Sequence, residues 1–284
     1  MPPTPPTKER SGLARAGAAE VRKPSVNRVG RPAGRDSQQT RLAILDGAEA
    51  LLSERGYEGA SIRDIAAGCH VQAAAISYHY ATKMDLFNAV VARRAIIINE
   101  ARSRALDVAL DIANGRENGQ GTAPANGGVT VRAKGHALRI EVLVHNYVSP
   151  LLDATSHGDP GWRNFASLMG RLANSPRGTE MINQHFSEVA SRYMSEFQRA
   201  LPGMSPERLA DGFLYMVSSM LVVCADTGRW EAMLGRTLAA RRDSNAILND
   251  LVPFVAGGFK ALAGVAEQPS RTPGKHDVKN AEKK

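Results

Sequence analysis

The stretch from Thr40 to Phe87 constrains the chain more than any other, because it compresses three apolar runs of helical period between tight turns. Ile44, Leu45, Ala48, Leu51 and Leu52 form an apolar stripe over a first helix from about Gln39 to Arg55. Gly56 stands where a left-handed cap closes such a helix. Ser61-Ile62-Arg63-Asp64 has the form of a capping box and opens a second helix of two turns, with Ile65 and Ala66 facing inward. Gly68-Cys69-His70-Val71 makes a turn, with Val71 as its apolar plug. A third short helix then spans Gln72 to Tyr80, anchored by Ile76 and Tyr80 and begun by the strong helix formers Ala73, Ala74 and Ala75. Two short helices across a tight turn fit a helix-turn-helix, whose second helix enters the DNA major groove. An ordinary helical hairpin has the same spacing, so spacing alone leaves both readings open.

Charge is distributed unevenly. The chain of 284 residues carries a formal net charge of +8. Residues 1–36 contribute eight Lys and Arg against three acids, whereas residues 37–94 have six of each. Basic character therefore sits in a proline-rich arm that lacks apolar periodicity, and residues 1–36 are expected to be disordered. An extended arm carrying Arg28, Arg31 and Arg35 fits a minor groove, with Arg31 the candidate contact; a solubilising extension is the alternative. The basic tail 265–284 is expected to be disordered as well. No run of 18 uninterrupted apolar residues occurs, so no membrane span is expected. Two distant cysteines, Cys69 and Cys224, make a disulfide framework improbable and a reducing cytoplasm the default.

Beyond the head the pattern is helical throughout. A fourth helix is expected from Lys83 to about Asn114, with Leu86, Val90 or Val91, Ile97, Ala101, Leu106 and Leu110 along one stripe. Residues 115–128 are glycine-rich and polar, hence a loop. Further helices are expected near 131–152, 159–174, 177–200, 205–228 and 243–264. Between them stand Pro150, Gly158-Asp159-Pro160-Gly161, Ser175-Pro176, Pro202-Gly203 and Ser205-Pro206. Pro253 and Gly257-Gly258 predict a kink in the last helix.

The ordered, gap-free series Thr40-Arg41, Ile44-Leu45, Ala48, Leu52, Arg55-Gly56-Tyr57, Ser61-Ile62-Arg63-Asp64-Ile65-Ala66, Val71, Tyr78-His79-Tyr80, Lys83 and Leu86 resembles the DNA-binding domain of the TetR family of one-component bacterial regulators. That resemblance implies an all-α fold: a three-helix DNA-binding head (37–86) joined by a long fourth helix to a helical-bundle ligand-binding and dimerisation domain (87–264). It also implies a homodimer on double-stranded DNA bearing a palindromic operator, located in the bacterial cytoplasm at the nucleoid. No cofactor is implied. Arg63 matches a base or phosphate contact. Gln72, Ala73, Ser77, Tyr78 and His79 match the reading face, beside Ser61. Lys83 matches a phosphate contact helped by helix-terminal amides. Ser77 replaces the family's usual aromatic, and the alanine run replaces polar residues. His79 fits a buried imidazole as well as a base contact.

In the body, Trp162, Phe165, Met169, Leu172, Phe186, Met194, Phe213 and Met216 are candidates for a pocket that takes a small hydrophobic effector, although each could equally be core. The order Asp159-Pro160-Gly161-Trp162, Phe165, Gly170-Arg171-Leu172 is similar to a TetR subgroup that includes fatty-acid-responsive regulators. Leu214, Val217, Leu221, Leu251, Phe254 and Val255 are the candidate dimer interface. The expected function is a sequence-specific repressor released by ligand. An all-α enzyme and a helical interaction scaffold with a decayed DNA-binding head are the alternatives. Against an enzyme, the chain has no G-x-S-x-G, H-E-x-x-H or P-loop pattern, and His136, His145, His157 and His185 are too dispersed for a metal set.

Overall fold

In a computed structural model, which describes residues 33–115, 137–235 and 243–264, the described residues form helices joined by short turns. The arm with Arg31, residues 116–128 of the expected loop and the 265–284 tail lie outside the described residues. Helix α1 (Ala33–Gly59) begins inside the segment expected to be disordered, and its regular course is broken at Gly56, where φ is 71° and ψ is 177°. A side chain at this φ would be strained, which is why glycine stands at the break. Ile44, Leu45, Ala48 and Leu52 are buried as the stripe predicts.

Helices α2 (Ile62–Gly68) and α3 (Ala73–His79) follow, and Ile65, Ala66, Ile76 and Tyr80 close the head's core. Ser61 caps α2 reciprocally with Asp64: the Asp64 amide donates to the Ser61 hydroxyl at 3.1 Å, and the Ser61 amide donates to the Asp64 carboxylate at 3.0 Å. The same device opens α4 (Lys83–Ala113), where Thr82 and Asp85 form a second capping box that was not anticipated.

Helix α4 has the expected length, and of the expected stripe Leu86, Val90, Val91 and Leu106 are buried and Ala101 and Leu110 half-buried, whereas Ile97 departs from it. Ile97 is 51% exposed, and the inward line runs through Phe87, Val91, Arg94, Ile98, Arg102, Leu106, Ala109 and Ala113. That spacing of three to four residues is the helical period, with two arginines occupying core positions.

Helix α5 (Ile140–His157) starts later than expected and passes through Pro150 without ending there. It is apolar on most sides, as a central helix must be. Around it stand α6 (Gly161–Leu172), α7 (Pro176–Ala200), α8 (Pro206–Ala225) and α10 (Ser244–Gly264). Ser175 and Ser205 cap α7 and α8 ahead of a proline at the first helical position. A short helix absent from the sequence reading, α9 (Arg229–Leu234), lies between glycines of positive φ, Gly228 and Gly235. Helices α8 and α10 are long and apolar enough, by length and composition, to cross a membrane, although neither contains the uninterrupted run sought in the sequence.

Candidate nucleic-acid interface and its link to the body

Helix α3 presents its polar face to solvent because Ile76 and the Tyr80 ring hold the opposite face against the core. Gln72, Ser77 and Tyr78 are exposed, Tyr78 by 82%. Arg63 is exposed on α2. All four are accessible to solvent, as DNA contacts would have to be. Ala73 differs from expectation: it is half-buried against the core, and Ala74 is the exposed alanine. Ser77 donates its hydroxyl back to the Ala73 carbonyl at 3.4 Å. His79 is half-buried between the Tyr78 ring, 5.1 Å away and edge-on, and the Tyr80 ring at 6.4 Å.

Two further expected contacts are engaged within the protein. The Ser61 hydroxyl also donates to the Asp64 carboxylate, whose pKa these Ser61 hydrogen bonds hold below the ordinary value. The Ser61 hydroxyl thus serves the helix end. The Lys83 ammonium lies 4.2 Å from the centroid of the Tyr57 ring, a cation–π contact that fixes its direction. One amide at that helix end, that of Asp85, is already satisfied by the Thr82 hydroxyl at 3.0 Å.

The head joins the body through an ion-pair cluster that the sequence reading did not single out. Glu49 on α1 is 1% exposed, and a buried carboxylate requires charged partners. Arg94 on α4 donates to it twice, from Nε to Oε1 at 3.0 Å and from Nη2 to Oε2 at 2.9 Å. The same guanidinium donates to Asp159, in the turn before α6, from Nη1 to Oδ2 at 2.7 Å and from Nη2 to Oδ1 at 2.8 Å. Arg93 adds bonds to Asp46 and Glu49, both at 2.7 Å. The hydrogen bonds from Arg94 hold the Asp159 carboxyl below the usual carboxylate range. Burial opposes the charge on Arg94, but its bonds to Asp159 and Glu49 prevail and raise its pKa.

Trp162 covers this cluster, with the Arg94 guanidinium 4.5 Å from its ring centroid. A larger residue at position 161 would displace the charged side-chain ends of this cluster. A Cβ there would lie 2.2 Å from Arg94 Nη2 and 2.4 Å from Glu49 Oε2. Further along α6, Arg171 donates to the carbonyls of Ser53 at 2.8 Å and Glu54 at 2.9 Å, near the end of α1's regular course. The segment from Asp159 to Arg171 thus grips the head at two points.

A cleft of about 520 Å³ opens over the cluster, and a second of about 540 Å³ lies between Tyr57, Phe87 and α6. Leu172 lines the second; the other expected pocket residues line neither. Trp162, Phe165, Met169, Leu172 and Met216 are buried, and Phe186, Met194 and Phe213 are partly buried against the same core. Of the candidate interface, Leu221 and Val255 belong to the core of this chain instead. Leu214 and Phe254 are well exposed, Val217 and Leu251 are half-buried, and Tyr215 and Val222 extend the apolar face unanticipated. Among the described residues, no group of three or more His, Cys, Asp or Glu is placed to hold a metal ion.

Two family descriptions match the chain. The family described as "Bacterial regulatory proteins, tetR family" matches residues 44–90, and "Tetracyclin repressor-like, C-terminal domain" matches residues 145–258. No curated protein matches the chain. Among solved structures, the chain is similar to a tetR-family regulatory protein from Rhodococcus RHA1 (15% identity, 81% of this chain and 99% of that one, TM-score 0.49). It is also similar to the ketosteroid transcriptional regulator KstR2 of Mycobacterium tuberculosis (15% identity, 77% and 93%, TM-score 0.48). A third is GusR of Salmonella enterica (18% identity, 82% and 100%, TM-score 0.44). With one family description on the DNA-reading head and the other on the helical body, the chain belongs to the TetR family of DNA-binding transcriptional regulators.

Proposed function

We propose that the chain acts in the bacterial cytoplasm as a homodimeric repressor that binds a palindromic operator and is released by a small, largely hydrophobic effector. The observation that carries this reading is the direct grip of the body on the head. Arg94 bonds Glu49 of α1 and Asp159 of the body with one guanidinium, so the pose of the head depends on how α4 sits against α6. Arg63, Gln72 and Tyr78 supply the reading surface. The exposed apolar residues Leu214, Tyr215, Val222 and Phe254 of α8 and α10 supply a surface for a two-fold partner. An effector that binds better to a body in which α4 has shifted against α6 would move the two heads out of register.

Selection of bound sequences from a random DNA pool tests the reading. A palindrome with half-sites one helical turn or a multiple apart is expected. Arg63→Ala and Tyr78→Ala should each weaken binding to it, the former by about tenfold to a hundredfold if Arg63 pairs with a base. Failure to enrich any sequence would sink the proposal.

A further inference from the structure

Arg102 is 2% exposed at the centre of the body, yet it forms no ion pair with a described carboxylate. Arg93 and Arg94, one helix segment earlier, are both paired with acids. Of the five N–H donors of the Arg102 guanidinium, Nε–H meets the Tyr147 carbonyl at 2.9 Å. One Nη2–H meets the Met220 thioether at 3.3 Å, a weak acceptor. The remaining donors have no hydrogen-bond partner among the described residues. The group lies 3.9 Å from the centroid of the Tyr147 ring, whose faces attract a cation without neutralising it. A buried charge in this condition is costly, and a counter-ion with matching geometry would relieve that cost.

The surroundings define the rest of that counter-ion. Tyr147 meets Tyr193 at 5.0 Å and Phe213 at 5.1 Å, both edge-on, and Met216 and Met220 are buried alongside on α8. The Tyr193 hydroxyl is already committed to the Arg102 carbonyl at 2.9 Å. The Tyr147 hydroxyl has no hydrogen-bond partner among the described residues. A planar guanidinium binds a carboxylate with two parallel hydrogen bonds, and the aromatic and thioether walls suit an apolar body behind it.

We propose that the effector is an amphipathic monocarboxylate, held by Arg102 through its carboxylate and by Tyr147, Tyr193, Phe213 and the α8 methionines through its apolar part. This rests on the reading of the chain as an effector-released regulator and names the effector's chemical class. The carboxylate takes the place of the Met220 sulfur, which moves α8 against α4. Arg102 lies eight residues, or about 12 Å, along the same helix from Arg94. The site and the head cluster are therefore carried by one rigid element.

Calorimetric titration of the full chain tests this with two matched pairs, octanoate against octanol and phenylbutyrate against phenylbutanol. In the wild type each acid should bind about tenfold or more tightly than its alcohol, as a charge-assisted pair requires. Arg102→Met should erase the preference, and Arg102→Lys should retain part of it; far-UV circular dichroism checks that both variants fold. Equal binding of acid and alcohol by the wild type overturns the proposal, as does a preference that survives in Arg102→Met, or no binding of either acid at millimolar concentration. The wild type alone decides if Arg102→Met does not fold. Operator binding in the same samples separates the two levels. Release by an alcohol leaves the regulator reading intact and removes the anion, whereas no operator binding removes the regulator reading itself.

Discussion

The guanidinium of Arg94 and the carboxylate of Glu49 meet in a two-bond pair buried between α4 and α1, with the second edge of the guanidinium bound to Asp159 of the body. Removing one member of such a pair leaves the other charged and desolvated. Arg94→Met should cost about 3–5 kcal/mol of stability, measured as a lower urea midpoint. Asp159→Asn, at a more exposed carboxylate, should cost much less but weaken the effector's influence on operator affinity. A variant with unaltered effector response would detach Asp159 from the switch.

Ser61 is expected to act through its cap. Ser61→Ala removes the hydroxyl that accepts the Asp64 amide and should destabilise the head by about 0.5–2 kcal/mol. The salt dependence of operator binding should keep its slope, because no phosphate contact is lost. A shallower slope in Ser61→Ala would place its hydroxyl on DNA after all.

Phe254 is 74% exposed on α10, a helix that packs against α8. Placing a charge there with Phe254→Lys should convert the expected dimer to a monomer in sedimentation equilibrium. Operator affinity should fall with it, since each head alone holds one half-site. A dimer that persists would move the interface off this face.

His185 on α7 has its Nε2 buried without a partner among the described residues, and burial pushes its pKa below the ordinary value. A depressed histidine contributes stability that is complete above the unfolded value of about 6.5 and lost as pH falls through the folded one. The urea midpoint should therefore decline below about pH 6.5. In His185→Gln that part of the decline should flatten. An identical pH profile in the variant would assign the loss to other groups.

The head was legible because its chemistry is local. Capping boxes, a left-handed glycine and a 3.6-residue stripe each leave a mark within a few residues, and Ser61, Gly56 and Ile44 occupy the expected places. Thr82 and Asp85 carry the same mark as Ser61 and Asp64, one turn of sequence around the expected helix start at Lys83. The junction was less legible for a different reason. Arg94 and Arg102 sit on the buried line of α4 at the correct spacing, but a search for apolar residues passes over arginine and selects Ile97, which is exposed. Their partners lie 45 and 65 residues away for Arg94, and 45 and 118 away for Arg102, beyond any local pattern. Pro150 misled in the opposite direction. A proline usually ends a helix, but α5 is packed on most sides, and tertiary contacts carry it through the missing hydrogen bond.

The bonds from Arg171 to the carbonyls of Ser53 and Glu54 bear on how such chains can recombine. Regulators built from a reader and a sensor invite the idea that readers can be exchanged as cassettes to rewire a circuit. Here two carbonyls of the reader's first helix are satisfied by a side chain of the sensor, and the Arg94 guanidinium that pairs with its buried Glu49 is also held by Asp159. A reader transplanted onto a foreign sensor would carry unsatisfied acceptors at the graft. Chimeras should hold together when the donor segment from Asp159 to Arg171 travels with the reader.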